Sequence, residues 1–391
     1  MNHKIDRIYA FHHNPIDPYI GAGVRTINVL KIMSRIFKSP VILYTIHNHC
    51  RERVIDDAIT EKDIQKPLLF AGIKAGYLCM FPFLIARQLR TAGLDSLRQS
   101  SIAIFETPFM GYAISKCIGL PRTVLKIYNA HNVEAYYWQQ YLASPLKRKL
   151  LNKVRKIEQH VVEISDYIFV TSEEERLAFE KEYSVNGEKL VVVPNGTDTR
   201  LLRPISDEQR RINKEQLRFG YSKYVVFVGS NVKANIDAAI WISEKLAPSM
   251  PDTCFLIIGS VCKVVANHLD NVKCLGVLPT DKKNLLLATS DVAINPVLSG
   301  AGTNVKMLEY LSAGLPTVTT DIGSRGLNLN DNNNVIITKS LDSFRDLIYG
   351  ICDDPFLRKR LSENARIKAE EFDWHKIESV VEAKLGYLLM D

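Results

Sequence analysis

What most constrains this chain is an alternation. Short apolar runs rich in β-branched residues are separated throughout by longer stretches of helical periodicity. In the first half the runs are Arg7–His12, Val41–Thr45, Ile102–Glu106, Thr123–Tyr128, Tyr167–Thr171 and Lys189–Val193. In the second half they are Tyr224–Gly229, Cys254–Gly259, Val272–Leu275, Asp291–Asn295, Thr317–Thr320 and Val335–Ile337. Strand-then-helix order predicts parallel sheets with helices on both faces. Two such sets in 391 residues predict an α/β protein of two Rossmann-like domains, because one hydrophobic core rarely serves so long a chain.

The joint is expected near Pro194-Asn195-Gly196, which is turn chemistry followed by the polar run Ser206 to Glu215. The domains then read 1–200 and 201–373, with 374–391 as an amphipathic terminal helix. Gly21-Ala22-Gly23 reads as a tight turn into a helix over Val24–Ile36. A second helix is expected over Ile236–Leu246, before Pro248. A third is expected over Asn304–Ala313, with Thr303 as its N-cap and Gly314 and Pro316 as its stop.

Composition narrows the class. The chain is 46% hydrophobic and 24% charged, which fits a packed globular protein and excludes dominant disorder. Met1 to Ala10 carries His3, Lys4, Asp6 and Arg7 and lacks the apolar run of a leader. The stretch Phe70 to Ala86 is interrupted by Lys74 and Pro82 and is too short to span a bilayer. A cytoplasmic protein is the expectation. The 7 cysteines are scattered without C-x-x-C spacing, so buried thiols are expected in place of a disulfide framework or zinc site. The net charge is +7, but from Arg122 to Lys156 eight cations face one acid, Glu134. Such a block either attracts anionic surfaces or forms a solvated helix face.

The informative stretch is Ser290 to Leu327. A strand, Asp291–Asn295, ends in a loop with Gly300 and Gly302, then a helix begins. Open α/β sheets bind ligands beyond the C-terminal strand ends, where helix amides favour anions. Glycines allow close backbone approach. Lys306 in the first turn adds charge, and Glu309 is placed to accept from a ribose diol. On spacing alone, Lys306 and Glu309 read first as a surface i,i+3 pair.

Gly302-Thr303-Asn304-Val305-Lys306-Met307-Leu308-Glu309 and Ala313-Gly314-Leu315-Pro316-Thr317-Val318 resemble the C-terminal signature of GT-B glycosyltransferases, in particular the retaining group called family four. Asn129-Ala130-His131-Asn132-Val133-Glu134 resembles the segment carrying that family's active-site histidine. Val193-Pro194-Asn195-Gly196-Thr197-Asp198 resembles its interdomain element, and Phe227-Val228-Gly229-Ser230 with Asn235 resembles the opening of its donor domain. The resemblance spans residues 5 to 385 and is weakest between 48 and 100.

It implies two domains facing across a cleft, with the terminal helix crossing back to the first. It also implies transfer of a sugar, with retention, from a UDP- or GDP-type nucleotide sugar to a glycan or lipid-linked acceptor. His131 is then the catalytic residue. The donor site comprises Glu309, Lys306, Gly300, Ala301, Gly302, Thr303, Asn304, Lys233, Ser230 and Arg325. Gly21, Ala22, Gly23 and Glu106 form a first-domain loop region facing the cleft. No cofactor or metal is expected, because no Asp-x-Asp triplet occurs. An anionic membrane surface is an expected partner and nucleic acid is not. Two departures stand out: Ala301 replaces the first glutamate of the family's pair, and Ser230 stands where many members carry arginine. Two other readings share this fold, a nucleotide-sugar 2-epimerase and a non-catalytic nucleotide-sugar binding module.

Overall fold

The computed structural model describes residues 5–16, 21–47, 52–66, 79–92, 101–141, 145–265, 269–300 and 302–389. It divides into two compact units. Residues 195–376 form the second; residues up to Pro194, together with those from Ile377 onward, form the first.

The first unit is built on β1 (Arg7–Phe11), β2 (Val41–His47), β3 (Glu52–Asp56), β4 (Ile59–Gln65), β5 (Ser101–Phe105), β6 (Leu125–Asn129), β7 (Tyr167–Val170) and β8 (Leu190–Val192). They lie in the order β3-β4-β2-β1-β5-β6-β7-β8. Every described ladder is parallel except β3 with β4. The central strands are buried on both faces, as continuous apolar runs require. Phe11, Phe105, Phe109 and Tyr128 fill one side of the core.

The β3–β4 pair is an addition to the sequence reading. Its second strand, ITEKDIQ, carries three charges. Glu61 within it is buried and accepts from Arg53, Thr45 and the Ile16 amide.

The second unit holds β9 (Lys223–Val228), β10 (Thr253–Ile258), β11 (Val272–Gly276), β12 (Val292–Asn295), β13 (Thr317–Thr319) and β14 (Ile336–Ile337), ordered β11-β10-β9-β12-β13-β14 and parallel throughout. In each sheet the strand order reverses beside its first strand, between β1 and β5 and between β9 and β12. Ligands of open α/β sheets bind at such reversals, beyond the carboxyl ends.

Three local expectations are corrected. Gly21-Ala22-Gly23 is not a turn before a helix but the first turn of the helix Gly21–Phe37. The N-cap of the helix Val305–Ser312 is Asn304, not Thr303. The helix Lys233–Trp241 passes into a π turn at Ile242–Leu246, and Pro248 sits in the short turn that follows. The terminal helix runs Trp374–Leu385, and Arg35 donates to both Glu378 carboxylate oxygens at 2.7 and 2.8 Å within the first unit. Among the described residues no helix is long and apolar enough to cross a membrane. Residues 70–78 of the weakly charged stretch lie outside those described.

Candidate functional site

In the first unit the carboxyl ends of β1, β5 and β6 gather a buried polar network. Glu106 directly follows β5 and is 1% exposed. The sequence reading places it in a loop region facing the cleft; in the structure it is buried at the strand end. Its Oε2 accepts from Thr26 Oγ1 at 2.7 Å and from Asn129 Nδ2 at 2.9 Å. Asn129 Oδ1 in turn accepts from Arg25 Nη2 at 2.8 Å, while Arg25 Nη1 donates to the Val193 carbonyl at 2.6 Å. Burial lowers the Arg25 pKa to about 10, partly offset by the Glu106 charge. For Glu106, burial pushes the pKa upward, but His131, Thr26 and His12 outweigh it and hold the carboxyl below its ordinary value.

His131 follows β6, with Nε2 3.5 Å from Glu106 Oε2. Its side chain keeps 17% exposure. Glu106 Oε1, His131 Nε2 and Asn132 Oδ1 are buried polar atoms without hydrogen-bond partners. Buried polar groups are normally satisfied, so three orphans at the carboxyl ends of the adjacent strands β5 and β6 leave room for a ligand's polar atoms.

Two residues here escaped the sequence reading. His12 and His13 follow β1, stacked with centroids 4.9 Å apart. His13 Nδ1 lies 3.0 Å from Thr107 Oγ1. Burial lowers His12 to about 4, and His13 falls well below the ordinary range for the same reason. Both are neutral at physiological pH. Their position at the end of the strand where the sheet order reverses was the available signal.

In the second unit the ends of β9, β10 and β12 converge. Gly259 has φ +110, and a Cβ there would meet the Gly229 carbonyl oxygen at 2.3 Å, so bare backbone is required. Asn235 donates to the Ser230 carbonyl and hydroxyl at 3.2 and 3.1 Å, and its Oδ1 accepts from Lys306 Nζ at 2.6 Å. Lys306 Nζ also lies 4.4 Å from the Phe227 ring centroid. Its ammonium group is deep enough that desolvation lowers the pKa to about 7 despite Glu309 nearby.

Lys306 and Glu309 each take a different partner: Glu309 accepts from Lys283 Nζ at 2.5 Å. Lys283, in the first turn of the helix Thr280–Thr289, is a third residue the sequence reading missed. A helix following β11 must open on the ligand-bearing end of the sheet, and that placement could have found it.

Gly300 and Gly302 have φ +128 and +69. Arg325 reaches back to donate to the Gly300 carbonyl at 2.6 Å. No side chain caps the helix Val305–Ser312; Asn304 turns instead to donate to the Ile322 carbonyl at 3.1 Å. Thr303 packs on Gly326, where a Cβ would meet its hydroxyl at 2.5 Å. Lys233 stands apart from this group. Its side chain is 73% exposed and bound to Asp237 at 2.5 Å. Ala301 lies outside the described residues.

Residues 39–201 match the family described as Glycosyltransferase Family 4, and residues 222–354 match that described as Glycosyl transferases group 1. A protein of Klebsiella pneumoniae, "Uncharacterized 44.6 kDa protein in cps region", is 26% identical over 186 residues, covering 42% of this chain and 47% of that protein. The matched stretch thus spans about half the length of that curated relative. Sucrose-phosphate synthase of Thermosynechococcus elongatus superposes with a TM-score of 0.74 at 15% identity, over 98% of this chain and 99% of that one. Anabaena Alr3699/HepE in complex with UDP and glucose gives 0.68 at 14%, over 97% and 98%. WaaG, a glycosyltransferase involved in lipopolysaccharide biosynthesis, gives 0.65 at 17%, over 97% and 98%. These likenesses establish the two-domain GT-B fold.

Proposed function

We propose that this chain, a GT-B protein with a glycosyltransferase region in each unit, transfers a sugar from a UDP- or GDP-type nucleotide sugar to a glycan or lipid-linked acceptor. The observation that carries the reading is the Lys306 arrangement: a desolvated ammonium beside an uncapped helix start and a glycine loop of positive φ. An arriving diphosphate supplies the counter-charge that stabilises the Lys306 ammonium against burial, and helix amides donate to its remaining oxygens. Glu309, oriented by Lys283, receives the ribose diol.

In the transfer, the bond from the anomeric carbon to the phosphate oxygen breaks and a bond to the acceptor oxygen forms on the same face. The acceptor proton passes to the departing diphosphate. Retention follows from that geometry. Lys306 and the helix amides stabilise the leaving group in place of a metal ion. His131, positioned by Glu106, serves a hydroxyl of the transferred sugar. Surface-polysaccharide assembly is the setting we infer, supported by the Klebsiella relative, a protein in a cps region, and by WaaG, which is involved in lipopolysaccharide biosynthesis. A lipid-linked acceptor would bring the chain to the inner face of a membrane.

The test is calorimetric screening of UDP- and GDP-sugars, then product analysis in excess chelator. A transferred sugar of unchanged anomeric configuration is expected. An epimerised donor, or binding without turnover, would overturn the reading.

A further inference from the structure

Two thiols meet at the edge of the second sheet. β11 is an edge strand, and Cys274 on it stands in register with Ile257 of β10. Paired residues of parallel strands point their side chains to the same face. Cys274 accordingly packs into the same apolar layer as Ile257, and Cys262 packs there too. Cys262 lies in the short turn Ser260–Lys263 that follows β10. Its thiol donates to the Ile257 carbonyl at 3.2 Å, and its Sγ accepts from the Gly276 amide at 3.3 Å. The Cys274 thiol is within hydrogen-bonding reach of that sulfur. Both cysteines are half-buried, and the exposed residues Lys263 and Val264 follow Cys262 directly.

The two are unequal. The register of β10 on β11 slips beside Cys274, so that Ile258 faces Gly276 and Leu275 is passed over. At this slip the amides of Gly276 and Leu275 are aimed at Cys262 Sγ. The Cys274 S–H first, and those amides after it, hold the Cys262 thiol below its ordinary pKa against the upward push of burial. The same contact, with burial, pushes Cys274 up. Burial also raises Cys79, Cys117, Cys254 and Cys352. Among the described cysteines, Cys262 is thus the one whose surroundings favour the nucleophilic thiolate, and it touches a second thiol.

We propose that Cys262 and Cys274 form a hydroperoxide-reactive pair that closes to a reversible disulfide. The Cys262 thiolate attacks one peroxide oxygen and the O–O bond breaks. Cys262 becomes a sulfenic acid, and the hydroxide released takes a proton to become water. The Cys274 thiol then attacks the sulfenic sulfur. A sulfur–sulfur bond forms, and the hydroxyl leaves as water with the Cys274 proton. The two thiols give up two electrons, and the peroxide takes them. The bond forms on backbone that reaches the second unit's polar cluster. The Gly276 carbonyl accepts from the Gly259 amide at 2.7 Å, and β11 leads into the helix that carries Lys283.

The test treats the reduced full chain with a small excess of hydrogen peroxide and maps its thiols by mass spectrometry. Trypsin cuts after Lys263 and Lys273, which puts the two cysteines on separate peptides. Those peptides are expected to emerge joined, from a chain that stays single on a non-reducing gel, and to part again in dithiothreitol. Brief iodoacetamide labelling of the reduced chain at neutral pH is expected to reach Cys262 before the other cysteines. In Cys274→Ser the sulfenic acid is expected to persist on Cys262 and react with dimedone; in Cys262→Ser, Cys274 is expected to stay reduced. Peroxide that leaves Cys262 and Cys274 free, or joins either to a different cysteine, would overturn the proposal. So would first oxidation at Cys274, or Cys262 labelling no faster than the rest. Mapping and labelling use the parent chain, so they decide the matter even where a variant does not fold. No nucleotide enters the experiment, so its failure is separable from failure of the sugar-transfer reading.

Discussion

The two polar clusters solve opposite problems. In the first unit, Arg25, Thr26, Glu106 and Asn129 are all at most 1% exposed and bind one another. Charge there is neutralised internally, and only His131 at the edge retains exposure. In the second unit, Lys306 and Glu309 are half-buried and each leans on one neighbour, Asn235 or Lys283. That cluster is short of compensating charge. A closed network fixes the geometry of one imidazole, whereas under the proposed function the open one receives its compensating charge from a ligand.

Their acid–base behaviour separates accordingly. The Glu106 pKa is depressed on folding, so its contribution to stability is present above its unfolded pKa and is lost as pH falls through the folded one. The Lys306 pKa falls from 10.5 to about 7, so the unfolded chain binds the extra proton between those values. Its burial therefore costs stability below that window, and the cost fades as pH rises across it.

Breaking the closed network should have the largest effect. Arg25→Ala removes the buried cation that reaches Glu106 through Asn129 and leaves Asn129 Oδ1 and the Val193 carbonyl without their charged donor, and should cost about 3–5 kcal/mol of unfolding free energy in denaturant titrations. An unchanged midpoint would mean the network is dispensable. Next comes His131→Ala, which should lower the transfer rate by about 10²-fold or more while leaving nucleoside diphosphate affinity intact. A small fall in rate would reduce His131 to a structural role.

In the open cluster, Glu309→Ala should weaken nucleotide binding by about 1.5–3 kcal/mol with little change in melting temperature. Calorimetry showing equal affinity would remove the ribose assignment. The smallest effect sharpens the contrast most. A nucleotide sugar has a diphosphate diester that does not titrate near neutrality. Its affinity should nonetheless fall by up to about tenfold per pH unit above 7, as Lys306 gives up its proton. Lys306→Gln should abolish that slope. Heats measured in buffers of different ionisation enthalpy should show proton uptake on binding at pH about 8.

Much of this was legible because local patterns carried it. The alternation of apolar runs marks strands that are buried on both faces, and the Gly302–Glu309 segment binds motif and element together. What was not legible depends on partners distant in sequence. β4 looks like a surface segment until Glu61 finds Arg53 and Thr45. Arg25 reads as an exposed helix residue until Asn129 and Val193 receive it, 104 and 168 residues away. Thr303 is a good cap by type, but it packs its hydroxyl on Gly326, and Asn304 takes the cap position. Lys283, His12 and His13 lie in ordinary-looking stretches, and only strand order brings them to a site.

The return of the chain from Ile377 onward to the first unit has a consequence in time. On a ribosome, residues up to Pro194 emerge first, yet the partner that Arg35 pairs with, Glu378, is made only after the whole of the second unit. At synthesis rates of roughly 5–20 residues per second, that interval is on the order of ten to forty seconds. For that period the nascent first unit has an unfinished seam, and the second unit can fold inside the gap. A stall or truncation before Glu378 would leave the earlier-made half, not the later, as the defective one.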